Sequence, residues 1–332
     1  MKALVSTSPG GPETLEVLDL PEPVPRVGEA RIRVVASSVN FPDLLIIEDK
    51  YQYRPARPFS PGAEISGVID KVGEGVEGLA PGMRVLAMVG WGGMAELAVA
   101  PAEKVVPIPD AMSFEQAAAL VLTYGTSYHA LRDRAKLRQG DTLLVLGAAG
   151  GVGLAAVELG VAMGARVFAA VSSPEKLAIA MNAGAASGLV YPRNPLDGAA
   201  QKALSAEIKQ LCGGQGPDVI YDPVGGDYSE PALRSIGWQG RYLVVGFPAG
   251  IARLPLNLPL LKGCDILGVF YGAAVDRDPE GYRQGVRDLF GFFERGEIRP
   301  HIHAVYPLER ASAALEALAS RTTAGKIIVS LA

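Results

Sequence analysis

Leu143-Leu144-Val145-Leu146-Gly147-Ala148-Ala149-Gly150-Gly151-Val152-Gly153 is the stretch whose reading decides the fold. Four apolar residues end in a glycine-rich turn, and a helical pattern runs on from Leu154. Strand, turn and helix in that order make a seat for a dinucleotide. The glycines let the backbone approach a pyrophosphate, and the helix start offers unpaired N–H groups with a partial positive charge. The spacing is Gly147-x-x-Gly150-x-x-Gly153, so the turn is a variant of G-x-G-x-x-G with Ala148 at the first glycine position. Gly150, Gly151 and Val152 are the residues expected at the phosphates.

Outward from that turn the chain alternates strand and helix patterns. Strands are expected at Thr142–Leu146, Arg166–Val171, 218–221, 241–245 and 265–270. Their lack of polar alternation marks them as buried on both faces, as in a doubly wound parallel sheet of Rossmann type. The second strand ends at Val171, about 20 residues after the turn, where an NAD-binding chain carries an acid on its ribose hydroxyls. Ser172 stands there instead, and Lys176 follows. A hydroxyl removes the repulsion toward a 2′-phosphate and an ammonium attracts it, so NADPH is the expected cofactor. Ser173 before Pro174 also reads as a helix N-cap, Lys176 as a solvated lysine, and Tyr191 either as a stacking partner for the adenine end or as packing.

Residues 1 to about 110 carry short β-rich runs punctuated by Gly and Pro: 29–35, Glu64–Val72, 84–89 and 95–99. They suggest a mostly β, barrel-like domain. Ser113-Phe114-Glu115-Gln116 reads as a capping box opening a helix. After Tyr271 come helices over 278–295 and 308–320, a short strand between them, and an edge-like final strand over 326–331 that returns to the first domain. A net charge of -4 without a dense Lys/Arg run argues against nucleic acid. No apolar run is long enough to span a membrane. Two cysteines, Cys212 and Cys264, suggest neither a disulfide framework nor a zinc site, and a reducing cytoplasm is the expected location.

Val39-Asn40-Phe41-Pro42-Asp43, Pro61-Gly62-Ala63-Glu64-x-x-Gly67, Gly93-Met94-Ala95-Glu96, the glycine turn, Val245-Gly246-Phe247 and Gly325-Lys326 occur in one order along nearly the whole chain. In that set the chain resembles the zinc-free quinone oxidoreductase branch of the medium-chain dehydrogenase/reductase superfamily. The resemblance implies a GroES-like catalytic domain over 1–122 and 273–332 around an NADPH-binding domain over 123–272. It implies hydride transfer to a quinone or an α,β-unsaturated carbonyl, and a homodimer joined through the last sheet strand. Cys and His zinc ligands of the superfamily's alcohol dehydrogenases fall at Asn40 and Ala63, so no metal is expected. His301-x-His303 lacks a third ligand nearby.

Carried onto this chain, the resemblance puts Asn40 and Tyr51 in the substrate pocket, Asn40 offering its amide to a carbonyl and Tyr51 a hydrogen bond or a proton. It puts Thr126, Gly246, Phe247, Phe270, Tyr271 and Arg321 around the cofactor. A second pocket tyrosine of some relatives falls at Leu45 and is lost. Tyr51 also reads as packing, Thr126 as a hydroxyl on its own helix, Arg321 as a solvated helix end, and Glu64 as structural. An enoyl-thioester reductase with Arg54 and Arg57 at the cleft mouth, and an NADPH-binding protein without turnover, are the alternatives.

Overall fold

Short apolar runs in the first hundred residues pair with one another to make sheets. In the computed structural model, which describes residues 1–320 and 323–331, the chain divides into two units. One is Met1–Leu122, Gly272–Gly291 and Arg299–Ala332; the other is Thr123–Tyr271 and Phe292–Ile298.

The first unit opens with an antiparallel pair, β1 (Lys2–Val5) and β2 (Glu16–Asp19). Then come β3 (Glu29–Val39), α1 (Phe41–Ile47), β4 (Glu64–Val72), β5 (Arg84–Met88), β6 (Leu97–Pro101), β7 (Val105–Pro107) and α2 (Phe114–Ala118). β3 is the hub, pairing antiparallel with both β4 and β6. Its alternate residues Ala30, Ile32 and Val34 point into a core with Ile65, Ile69, Val85 and Ala87. That period of two is why these runs become strands. Gly67 lets β4 lie close against β3: a Cβ there would stand 2.0 Å from the Arg33 carbonyl oxygen on the neighbouring strand. The capping box forms as expected. Ser113 Oγ accepts from Gln116 N–H at 3.2 Å, and Gln116 Oε1 accepts from Ser113 N–H at 3.0 Å.

The second unit runs from α3 (Val121–Tyr128), whose first two residues belong to the other unit, through β8 (Thr142–Leu146), α4 (Gly151–Ala162), β9 (Arg166–Val171), α5 (Pro174–Asn182), β10 (Ser187–Val190), α6 (Gly198–Leu211), β11 (Val219–Asp222), α7 (Ser229–Ser235), β12 (Arg241–Val244) and α8 (Asn257–Lys262) to β13 (Asp265–Gly268). All six strands are parallel, in the order β10-β9-β8-β11-β12-β13. The sheet reverses direction of growth between β8 and β11, and such a switch point opens a crevice at the strands' carboxyl ends. Leu143 to Leu146 are all buried, as a strand covered on both faces requires.

α9 (Tyr271–Arg277) and α10 (Pro279–Glu294) follow, then β14 (Ile302–Pro307), α11 (Ala311–Ala319) and β15 (Lys326–Ser330). The expectation of an edge position for the final strand does not hold. β15 lies between β14 and β3, so the edge is β14. The reason is in its side chains: Ile327, Ile328 and Val329 are consecutive and all buried, a pattern only an interior strand can satisfy. Among the described residues, no helix is long and apolar enough to cross a membrane.

Candidate functional site

The glycine turn does what its composition suggests. Gly147 adopts φ 57°, a left-handed conformation that favours glycine, and a Cβ there would meet Val224 at 2.9 Å. Gly150 is the N-cap of α4. A Cβ on Gly153 would stand 2.1 Å from the Gly147 carbonyl oxygen, so the helix packs directly on the turn. The first bond of α4 runs from Leu154 N–H to Gly150 O at 2.7 Å. That leaves the N–H groups of Gly151, Val152 and Gly153 without partners inside the helix. Ser127 Oγ fixes the helix start by donating to the Val152 carbonyl at 2.9 Å, and it pairs with the buried Tyr221 hydroxyl at 2.9 Å.

At the end of β9, Ser172 is exposed. Ser173 takes its capping alternative: its Oγ accepts from Lys176 N–H at 3.3 Å, with Pro174 in the first helical turn. The one acid in this turn, Glu175, takes a hydrogen bond from Ser173, which holds its carboxyl below the usual range. Lys176 is partly buried, and that burial pulls its ammonium down. The ring of Tyr191 is buried in the core with its centroid 4.5 Å from that of Tyr228, as its packing alternative implies, and burial pushes its phenol well up.

Sequence reasoning missed Asp222, at the carboxyl end of β11. Its Oδ1 accepts from the N–H groups of Val224 (2.8 Å) and Gly225 (2.9 Å), and its Oδ2 from Ser229 Oγ (2.6 Å) and the Tyr242 hydroxyl (2.5 Å). Four donors lock the loop that carries Val224 against Gly147. The available signal was an acid closing a strand before Pro223-Val224-Gly225, a local side-chain turn. Beside that loop Gly246 is partly buried and Phe247 exposed; Phe270 is exposed at the end of β13. Tyr271 lies over Gly125, where a Cβ would meet its hydroxyl at 2.4 Å, and Thr126 is partly buried on the same helix. Arg321 lies outside the described residues.

The first unit carries the other candidates. Asn40 places its amide in a network inside the protein. Nδ2 donates to Ser38 Oγ and Glu64 Oε1, each at 3.1 Å, and to the Ser38 carbonyl at 3.2 Å, while Oδ1 accepts from Lys326 Nζ at 2.5 Å. The amide is thus part of a buried polar cluster. Glu64 Oε1 also accepts from Ser38 Oγ and from Lys326 Nζ, and its Oε2 accepts from Leu122 N–H at 2.7 Å. Asp43 accepts from Asn40 N–H at 2.7 Å and Gly62 N–H at 3.1 Å. Burial raises its carboxyl to about 7, against those two bonds and the nearby Lys326.

Tyr51 is partly buried against the core of α1 and α11, with its ring centroid 5.8 Å from that of Tyr53. Burial raises its phenol, with Tyr53 and Asp43 adding to the rise. Among the described residues its hydroxyl has no hydrogen-bond partner. Arg57 is spent on Asp49 (2.9 Å), the Ile47 carbonyl (2.8 Å) and Ser6 Oγ (3.2 Å), so it is no mouth for a phosphorylated carrier. His301 and His303 are exposed, and among the described residues no group of three His, Cys, Asp or Glu side chains is placed to hold a metal.

Residues 26–110 match the alcohol dehydrogenase GroES-like domain family, and residues 151–290 the zinc-binding dehydrogenase family. The chain is 38% identical over 309 residues to a quinone oxidoreductase-like protein 2 homolog of Nematostella vectensis, spanning 91% of this chain and 82% of that one. The quinone oxidoreductase of Thermus thermophilus, solved alone and with NADPH, aligns over 100% of both chains with 35% identity and a TM-score of 0.84. That of Escherichia coli in complex with NADPH aligns over 99% of this chain and 100% of its own, with 28% identity and a TM-score of 0.90.

Asp43 sets a pH dependence. Its folded-state value of about 7 lies above the ordinary 3.8, so the folded chain holds a proton that the unfolded chain releases. The resulting stabilisation is full below 3.8 and is lost as pH rises through about 7. Urea unfolding at pH 5.5 and pH 8 should show lower stability at pH 8, and Asp43→Asn should narrow that difference.

Proposed function

This chain belongs to the quinone oxidoreductase family of the medium-chain dehydrogenase/reductase superfamily, and from that premise we propose that it is an NADPH-dependent quinone oxidoreductase. One observation carries the cofactor choice. The helix start of α4 lies open at a turn of glycines, and the end of β9 presents Ser172 with Lys176 four residues on where an acid would repel a 2′-phosphate. The seat fits a dinucleotide because a side chain on Gly147 or Gly153 would collide with its surroundings.

NADPH supplies a hydride when bound. The chain's own residues bind and orient. Gly151 and Val152 N–H groups would hold the pyrophosphate, and Ser172 and Lys176 the adenosine phosphate. Phe247, Phe270 and Tyr271 would offer aromatic surface to the nicotinamide end. A quinone, or a conjugated enone, delocalises the incoming charge itself and needs one proton besides the hydride. Tyr51 is the group available to hold that proton. Its phenol stays protonated well above neutral pH, and among the described residues its hydroxyl has no hydrogen-bond partner. The chemistry asked of the protein is positioning, with no Lewis acid. That reading is zinc-free because Asn40 and Ala63 supply neither thiolate nor imidazole at the superfamily's ligand positions.

The chain works as a homodimer. β13 ends the parallel sheet with one side unpaired, and Trp238, Leu256, Leu260 and Leu261 beside it expose large apolar side chains. An exposed apolar edge is stable in water when a two-fold mate covers it. Cys212 and Cys264 are both free thiols and buried, which suits a reducing compartment such as the cytoplasm.

Steady-state oxidation of NADPH across quinones, enones and enoyl thioesters, with NADH as control, tests the activity. Turnover with quinones and a clear preference for NADPH are expected; oxidation of neither coenzyme by any acceptor overturns the proposal. Ser172→Asp should raise the KM for NADPH on the order of ten- to a hundredfold while sparing NADH. Tyr51→Phe should lower kcat and flatten its pH profile, and an unchanged rate and profile would remove the residue from the mechanism. Ile266→Lys on β13 should convert the dimer to monomer in analytical ultracentrifugation.

A further inference from the structure

Lys326 Nζ is the most unusual charge in the chain. Its side chain is 5% exposed and that of Glu64 is 1% exposed. A buried lysine must find partners for three N–H bonds, and this one has them: the Val39 carbonyl at 3.1 Å, Asn40 Oδ1 at 2.5 Å and Glu64 Oε1 at 3.2 Å. The oxygens come from the end of β3, the N-cap of α1 and the first residue of β4; the ammonium comes from the first residue of β15.

The family matched over residues 151–290 is described as zinc-binding. The donors around Asn40 and Ala63 do not fit that ion. They are a backbone carbonyl, an amide and a carboxylate, hard oxygens without the nitrogen or sulfur that zinc prefers. An ammonium already sits among all three.

We propose that Lys326 is a built-in cation: its ammonium permanently fills the cation seat between Asn40 and Glu64, so that this region needs no exogenous ion. The proposal rests on the zinc-free reading above and gives it a physical cause. Lys326 neutralises Glu64 and holds the Asn40 amide, and Asn40 in turn starts α1. It acts through those partners and is a positioning residue, not a catalytic one. A tethered ammonium suits this seat, because it loses less freedom on ordering than a free ion and cannot dissociate.

Chemical rescue tests this. Lys326→Ala should lower the melting temperature on the order of 10 °C, because it strands a buried carboxylate. n-Propylammonium should restore at least half of that loss, saturably and with chelator present, whereas n-propanol, which fills the same space without charge, should not. Equal rescue by the alcohol, or no loss on substitution, overturns the proposal. If Lys326→Ala does not fold, Lys326→Met is compared with Lys326→Met/Glu64→Gln. Recovery of stability in the double variant supports a charge role; a double variant no better than the single overturns it. Both readouts are thermal and independent of turnover. Elemental analysis of the wild type for stoichiometric zinc tests the zinc-free reading separately.

Discussion

A lysine ammonium and a glutamate carboxylate, both removed from water, hold the first unit together. Burying either alone costs several kcal/mol, and the pair is tolerable only when every remaining lone pair and proton is used. Here the use is complete. Ser38, Asn40, Val39 and Leu122 take up what Lys326 and Glu64 do not give each other. Ser38 and Asn40 turn their polar groups inward to the pair, and burial raises the neighbouring Asp43 carboxyl to about 7. The final strand is therefore more than a closing piece: its first residue is the cation the cluster is built around.

The second unit depends on a different constraint, the absence of side chains. Gly153 lets α4 touch the carbonyl of Gly147, and Gly147 lets the Asp222-locked loop come up to the turn. These contacts bring backbone N–H groups to the surface at the switch point of the sheet, where they can meet a phosphate. The Asp222 carboxylate is the charge that shapes this seat, through four donors, while Ser172 and Lys176 stand at the end of β9. One unit thus builds with compensated charge and the other with missing atoms.

Much of the fold was legible because it is local. Glu64–Val72, Thr142–Leu146 and Arg166–Val171 begin and end where their apolar patterning and turn residues put them. Ser113 and Gln116 bond as their three-residue spacing implies, and Ser173 caps α5 because proline follows it. The interior place of the final strand is not local: it follows from the parallel pairing of β14 on one side and the antiparallel pairing of β3 on the other. Tyr191 has the same residue type as a stacking partner, and only the arrival of Tyr228 made it core.

The sequence by itself determined the strand–turn–helix, the unbroken apolar runs of strands covered on both faces, and the lack of an acid after β9, since each depends on residues within one or two turns of chain. Tertiary structure alone decided what Asn40 does. Its partners Glu64 and Lys326 are 24 and 286 residues away, and no periodicity records that their side chains meet. A hydrogen-bonding group spends its donors on whatever folding brings within about 3 Å, so its role is a property of the fold rather than of the motif that contains it.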